Sequence, residues 1–477
     1  MKQARLKIIL INPPADIKDI YGKYSLLASL QPPIGLCSLA SYLIKNGYEV
    51  KILDANVLHL STVDIVRYLK NQSAQLVGIY VNTPSCHVVA KLVEEIKKAN
   101  VVQSIVAGGP HITFLAESSL EQIPFDYCVI GEGEKTLLEL ANSIESNSKN
   151  LSNVDGLVFK TSDNRIIVNK PRGRISDLDT LPFPAIHLLP PISKYKPYLL
   201  HYKKLPFMPI ITSRGCPHQC IFCNTPFGKS VSLHSAEYVV DYVEFLTKQF
   251  GVKEVFFCDD TFSINENRIY DICRLLKRKR IAISWYANMH ANIKDKGIFK
   301  EMKKSGCWLV AIGVESGDER ILRLIKKNVS LNQVTKTCKL ALQSGLMLKT
   351  FFILGNPGET LETIEKTINF ALSLKSHYPV FSLMTPYPGT ELWNKAETYG
   401  VFSRSHFDKL LISSSTPIFV PFGLDKEILL KKQKEAYRRL YLNPGMIIRQ
   451  LLSINSIEDV KKLLMAFYSF INIQGSK

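Results

Sequence analysis

Cys216, Cys220 and Cys223 stand in the run Ser-Arg-Gly-Cys-Pro-His-Gln-Cys-Ile-Phe-Cys. The C-x3-C-x2-C spacing makes one short loop carry three thiolates toward a common centre, and the rest of the chain must fold so as to hold that loop. Random placement of the 10 cysteines among 477 residues gives about 0.004 such runs. Soft sulfur ligands favour iron–sulfur clusters or zinc. Three thiolates on a [4Fe-4S] cube leave one iron open to a substrate. A structural Cys3His zinc site using His218 or His234 is the alternative, although the second ligand pair usual in zinc modules is missing.

The length of 477 residues predicts two or three domains. A hydrophobic share of 46% argues for folded rather than disordered chain. Outside the triad the cysteines are scattered, at 37, 86, 128, 258, 273, 307 and 338. That is no disulfide framework, and it suits a reducing cytoplasm. The basic start and short apolar run lead into Asn12-Pro13-Pro14 rather than a cleavage site. No apolar run reaches the ~20 residues of a membrane span. The expectation is a cytoplasmic protein, soluble or peripheral to the inner face of the membrane. A formal charge of +18 permits nucleic acid, anionic lipid or phosphorylated partners and selects none. Without a zinc-finger, RRM-like or Gly-rich signature, no nucleic acid is expected.

Residues 1–145 alternate short β-branched runs with helical stretches, predicting a doubly wound parallel α/β sheet, Rossmann-like in architecture. Strands are expected at Leu6–Ile11, Tyr48–Leu53, Leu76–Val81, Ser104–Ala107 and Tyr127–Ile130, with helices such as Gly35–Asn46 and Cys86–Ala99. Such sheets bind ligands beyond the carboxyl ends of their strands. Those ends carry Asn12, then Gly108-Gly109-Pro110-His111, then Gly131-Glu132-Gly133-Glu134. Each alone reads as a turn.

Residues 146–205 read as a linker, with a β-hairpin of Val154–Lys160 and Arg165–Asn169 followed by many prolines. From 206 to 400 the alternation restarts. Strands fit at Met208–Ser213, Lys253–Cys258, Ala282–Ala287, Trp308–Val314, Met347–Leu354 and Val380–Thr385, and helices at 235–250, 265–279, 294–305, 331–344 and 359–375. Six βα units predict a partial (β/α)6 TIM-like barrel, whose chemistry belongs at the carboxyl ends of its strands. The cysteine triad follows the first of them. The segment 401–477 holds 12 Lys and Arg against 6 Asp and Glu, a net of +6. Its helix Lys426–Leu442 and the apolar run Leu463–Ile471 would either cap the barrel's open edge or rest on an anionic membrane.

The triad, with Phe222 before its last cysteine, resembles the signature of radical SAM enzymes. The strand-end turns, with Pro-Pro-Ile-Gly-Leu (32–36) and Tyr-Glu-Val-Lys-Ile-Leu-Asp-Ala (48–55), resemble the cobalamin-binding domain of one branch. That branch holds class B radical SAM methyltransferases and proteins like the anaerobic Mg-protoporphyrin monomethyl ester cyclase. The resemblance spans roughly residues 6–400 and implies a [4Fe-4S] cluster, S-adenosylmethionine (SAM) and cobalamin. It also implies a reductant such as flavodoxin or ferredoxin. Asp259-Asp260-Thr261-Phe262 would grip the methionyl ammonium, although many members have Gly-Gly-Glu there; a helix cap is the plain alternative. Glu315, in Ala-Ile-Gly-Val-Glu-Ser-Gly, would take the ribose. Gly355 would admit the adenine, Glu359 would cap the following helix, and Phe222 and Thr385 complete the SAM set. Asn12, Gly108, Gly109, His111, Gly131 and Glu132 would hold cobalamin. Without Asp-x-His-x-x-Gly, cobalt is expected to have no protein histidine beneath it. One triad argues against a methylthiotransferase, which needs two. The implied activity is methylation of an unactivated carbon in a small or lipid-like substrate. Ring closure, rearrangement or a non-catalytic binding protein are the alternatives. In methylation SAM would serve twice, as methyl source and as radical source.

Overall fold

The computed structural model describes residues 5–14, 29–148, 150–199, 201–402, 404, 417–454 and 456–465. Of the apolar run Leu463–Ile471, residues 466–471 lie outside the described residues. The chain forms two compact units, the first centred on residues 30–195 and the second on 196–405 with the C-terminal helices.

The first unit runs β1 (Lys7–Asn12), α1 (Ile34–Lys45), β2 (Glu49–Asp54), α2 (Thr62–Lys70), β3 (Leu76–Tyr80), α3 (Cys86–Ala99), β4 (Ser104–Gly108), α4 (Pro110–Gln122), β5 (Tyr127–Val129), α5 (Gly133–Glu145), β6 (Leu157–Lys160) and β7 (Ile166–Val168). The sheet order is β2-β1-β3-β4-β5-β6-β7. The first five strands pair in parallel. Ile8, Ile9, Leu10 and Ile11 are all buried, as a strand covered by helices on both faces requires. The expected linker hairpin instead joins this sheet: β6 pairs antiparallel with β5, and β7 with β6. Val158 and Phe159 are apolar enough to bury against the edge that β5 would otherwise leave open.

The second unit begins with β8 (Phe207–Ile210). A two-strand ribbon follows, of β9 (Ser213–Arg214) and β10 (Ser232–Leu233). Then come α6 (Ala236–Phe250), β11 (Glu254–Phe257), α7 (Glu266–Arg278), β12 (Ser284–Met289), α8 (Ile298–Lys304), β13 (Cys307–Glu315), α9 (Glu319–Leu324), α10 (Leu331–Gln343), β14 (Met347–Leu354), α11 (Leu361–Ser373), β15 (Tyr378–Leu383) and α12 (Glu391–Lys395). A ribbon of β16 (Gly400–Phe402) and β17 (Phe419–Pro421) leads to α13 (Lys426–Tyr441) and α14 (Pro444–Leu452). The strands lie in the order β15-β14-β13-β12-β11-β8, every pairing parallel. Sequential right-handed βα units place their helices on one face and leave the other facing inward. In β14 Leu348, Thr350, Phe352 and Leu354 are buried on the helix side, while Met347, Lys349, Phe351 and Ile353 alternate with them and stay partly accessible.

Helix α13 covers the open edge. Leu429, Ala436 and Leu440 are buried. Gln433 Nε2 donates to Phe381 O at 2.9 Å, the Tyr437 hydroxyl lies 3.1 Å from both Phe381 N and O, and Tyr441 donates to Pro379 O. Residues 433, 437 and 441 repeat every four positions, so one helix stripe satisfies the outward backbone groups of β15. The basic helix is an edge cap. Among the described residues no helix is long and apolar enough to cross a membrane.

Candidate active site and cofactor sites

The cysteine loop leaves the end of β8 and is closed at its base by the β9–β10 ribbon. Gly215 sits at φ 86°, a conformation that favours glycine, and turns the chain into Cys216. Inside the loop, Cys216 N donates to Gly228 O and Cys223 N to Cys220 O. Ile221 N donates to Ile325 O at 3.1 Å, and Ile221 O accepts from Leu392 N at 2.8 Å, so the backbone between the last two cysteines is fastened on both sides. Cys216 is buried; Cys220, Cys223 and Phe222 are half-buried. Burial pushes the Cys223 thiol up to about 12, and Cys220, Asp260 and Cys216 add to the shift. Burial raises Cys220 as well, opposed by Lys327.

Glu315 ends β13 with φ 71°, uncommon for a residue with a side chain. The register against β14 shifts between Gly313 and Glu315, which turns the carboxylate toward the loop. Its Oε1 lies 3.0 Å from Lys327 Nζ, with both side chains buried. Burial works against the Lys327 charge, but Glu315, Cys220 and Cys223 outweigh it and hold its pKa above the usual lysine range. Lys327 was invisible in the sequence. It comes from the turn after α9, a helix too short to show periodicity, and only the topology brings it beside the triad.

The structure divides the aspartate pair. Asp259 is buried; one carboxylate oxygen accepts from Thr212 N and Ser213 N, the other from the Thr212 hydroxyl. It fastens the end of β8 to β11. Asp260 is exposed. Nearby protein bulk raises its pKa, and Asp259 adds to the shift. Gly355 has φ 84°; its amide donates to Glu359 Oε2 at 2.6 Å, and a Cβ there would meet Leu429 of α13 at 3.3 Å. Glu359 also accepts from Asn356 N and Nδ2. It locks this turn and does not cap α11, whose cap is the Thr360–Thr363 box. Thr385 is half-buried, its hydroxyl donating to Leu383 O.

Of the two histidines of the zinc alternative, His234 stacks on Tyr238 and His218 on His290. Among the described residues no three His, Cys, Asp or Glu side chains close around a single metal ion. His290 follows β12, a second residue that sequence reasoning missed. Asn292 N donates to its Nδ1 at 3.3 Å, while its Nε2 is buried without a hydrogen-bond partner.

At the strand ends of the first unit, the expected cobalamin residues separate into two groups. Gly108 and Gly131 have open space where a Cβ would stand. Gly109, at φ 111°, would clash with Val81 O at 2.7 Å; it is needed by the backbone. The other three side chains bond to groups of the same unit. Asn12 Nδ2 donates to Asp54 at 2.8 Å, and Glu132 Oε2 accepts from Ile175 N at 2.7 Å. His111 is buried between Thr83 and Cys86, and burial pulls its pKa down to about 4.

These residues fit the implied groups. Three bare thiolates cannot coexist in so buried a loop; cationic iron among them, with Lys327 alongside, removes both the desolvation and the repulsion. Open glycine turns after two parallel strands, β4 and β5, leave a cradle for a large planar ring, with the nearby histidine turned away. The radical SAM superfamily is matched over residues 210–371 and the B12 binding domain over 26–141. An uncharacterised methyltransferase of Pyrococcus horikoshii is 33% identical over 97% of this chain and 99% of its own. An anaerobic magnesium-protoporphyrin IX monomethyl ester cyclase of Rubrivivax gelatinosus is 25% identical over 93% and 78%. The structure of OxsB, a cobalamin-dependent SAM radical enzyme, superposes with a TM-score of 0.75 at 17% identity, covering 98% of this chain and 72% of that one. The chain belongs to the radical SAM enzymes that carry a B12-binding domain, and its cofactors are a [4Fe-4S] cluster, SAM and cobalamin.

Proposed function

We propose that this enzyme methylates an unactivated carbon of a small or lipid-like substrate, with SAM serving both as methyl source and as radical source. The observation that carries the reading is the end-to-end likeness to the Pyrococcus methyltransferase. When bound, the cluster and cobalamin supply one-electron cleavage of SAM and methyl carriage. Everything else falls to the protein. Cys216, Cys220 and Cys223 hold the iron, and Lys327 offsets their charge while orienting Glu315. Glu315 accepts the ribose hydroxyls, its strained backbone fixing the carboxylate before SAM arrives. Asp260 meets the methionyl ammonium. The Gly355 turn, held rigid by Glu359, lies along the adenine, with Phe222 and Thr385 at the rim. Gly108 and Gly131 admit the corrin ring.

Ring closure is the second reading, favoured by the likeness to the Rubrivivax cyclase. Anaerobic product analysis separates the two: methylation yields S-adenosylhomocysteine together with 5′-deoxyadenosine, and ring closure yields the second alone. No SAM cleavage under reductant would leave a non-catalytic binding protein. An electron carrier such as flavodoxin or ferredoxin is the proposed reductant.

The C-terminal helices are also proposed to touch an anionic membrane. Ile447, Ile448, Leu451 and Leu452 form one exposed face of α14, at 45, 56, 60 and 79% accessibility. Ile457, Val460 and Leu464 of the following segment, at helical spacing, are exposed as well. An apolar face this large on a segment of net charge +6 suits lipid with an anionic surface.

A further inference from the structure

The inner face of the β8–β15 sheet carries a charged residue that the proposed chemistry leaves unused. Lys349 lies on β14 between Met347 and Phe351, in register with Ala311 on one side and Tyr378 on the other. Its Nζ stands 3.3 Å from His201 Nδ1 and 4.5 Å from the centroid of Phe351. It forms no ion pair with any described residue, although the buried charges Lys327 and Asp259 of this unit have partners. Burial pulls its pKa down to about 7 and drives that of His201 well below the histidine range.

The surroundings of Lys349 lead toward Glu315. Up β13 the inward positions are Leu309, Ala311 and Gly313, and a Cβ on Gly313 would meet Glu315 Oε1 at 2.4 Å and Lys327 Nζ at 2.9 Å. Alternate residues on a strand are about 7 Å apart, so Lys349, level with Ala311, lies about one such step below the Gly313 position that the Glu315–Lys327 pair flanks. Gly313 and the inward residues Met347, Lys349, Phe351 and Ile353 of β14 all keep part of their surface accessible, so this face is not packed shut. The wall beside it is aromatic: Phe256 stacks on Tyr286 at 4.4 Å between centroids, and Tyr286 meets Trp308 edge-on at 5.8 Å. An aromatic face that carries a lysine without an ion pair recognises an apolar molecule ending in an anion. A lysine whose only task was to fill space would be served equally by methionine, without the cost of desolvating an amine.

We infer that Lys349 binds a carboxylate on an apolar or aromatic substrate whose reacting end lies beside Glu315 and the cysteine loop. This deepens the proposed function and rests on its placement of SAM at Glu315.

The test uses the full-length reconstituted protein with 1-pyrenebutyrate and the neutral 1-pyrenebutanol as probes. Brief acetylation read by peptide mass spectrometry should modify Lys349 in the free protein. Pyrenebutyrate should block that modification and pyrenebutanol should not. By fluorescence polarisation, Lys349→Met should bind pyrenebutyrate at least tenfold more weakly and pyrenebutanol equally, and Lys349→Arg should retain both. Iron content of each variant checks that it has folded. An unreactive Lys349, labelling indifferent to pyrenebutyrate, or equal binding by Lys349→Met overturns the inference. Such a result in protein that holds its iron and binds SAM refutes the carboxylate site alone. Protein that reconstitutes without a cluster refutes the functional reading itself.

Discussion

Glu315 and Lys327 form a buried ion pair, 3.0 Å from Oε1 to Nζ, and the lysine is also held by the field of Cys220 and Cys223. The pair links the SAM-facing end of β13 to the iron-binding loop. Breaking either side leaves a buried charge without its partner, which costs about 3–5 kcal/mol where no other charge replaces it. Glu315→Gln keeps the shape and leaves Lys327 to the thiolates, so iron should remain while the Kd for SAM rises tenfold or more, ~1.4 kcal/mol or above. Lys327→Met should weaken both, read as iron per chain and SAM affinity. Unchanged SAM binding in Glu315→Gln would remove that residue from the site.

Replacing Cys216, Cys220 and Cys223 together by Ala should abolish the iron that anaerobic reconstitution otherwise gives, about four per chain. Zinc without iron in the wild-type protein would restore the alternative ligand set. The seven remaining cysteines serve as an internal control, because those at 37, 128, 273, 307 and 338 are buried in the core.

The glycine turns give opposite outcomes. Gly108→Leu enters open space, so it should fold normally and lose the absorption of bound cobalamin. Gly109→Ala must adopt φ 111° and press on Val81 O, and should lower stability by about 1–3 kcal/mol. Chemical denaturation and visible spectra of both variants separate the roles. Cobalamin bound normally by Gly108→Leu would move the ring elsewhere.

Glu359 provides a pH signature. Its pKa is raised by burial from the usual carboxylate value to about 7, so the protonated form is favoured in the folded state. The stability it adds is fully present below pH ~4.5 and is lost as pH rises through about 7. Glu359→Gln cannot ionise, and its stability relative to wild type should therefore rise across that window. A flat difference would contradict the shift.

Much of the fold was legible from periodicity. Helix α3 and strand β14 have the expected bounds, and the other core strands differ by one to four residues at their ends, where turns and not apolar pattern decide. The hairpin was legible as a hairpin; its docking on β5 was not, because strand pairing is a long-range choice. Within the site, residues clustered in sequence were readable, while those gathered by topology were not. Lys327, His290 and Lys349 stand alone in the sequence and acquire meaning only from their neighbours. Asp259, His111 and Glu132 show the other side of this: a polar residue at a strand end serves the turn as readily as a ligand, and sequence alone does not divide the two roles.

The C-terminal face also has a cleaner test than truncation, which would strip α13 from the β15 edge. Ile448→Glu with Leu452→Glu alters only exposed positions of α14. Wild-type protein should sediment with vesicles of anionic lipid at low salt, the double variant severalfold less, and neither with neutral vesicles. Equal sedimentation of both would confine these helices to covering the barrel edge.

The central claim is methyl transfer coupled to radical cleavage of SAM. Its most direct measurement is mass-spectrometric quantitation of S-adenosylhomocysteine and 5′-deoxyadenosine from cluster-loaded, cobalamin-loaded protein under anaerobic reductant. Both products are expected, the first dependent on cobalamin and both absent from the triple cysteine variant. Turnover that forms 5′-deoxyadenosine without S-adenosylhomocysteine, or product yields unaffected by loss of Cys216, Cys220 and Cys223, would contradict it.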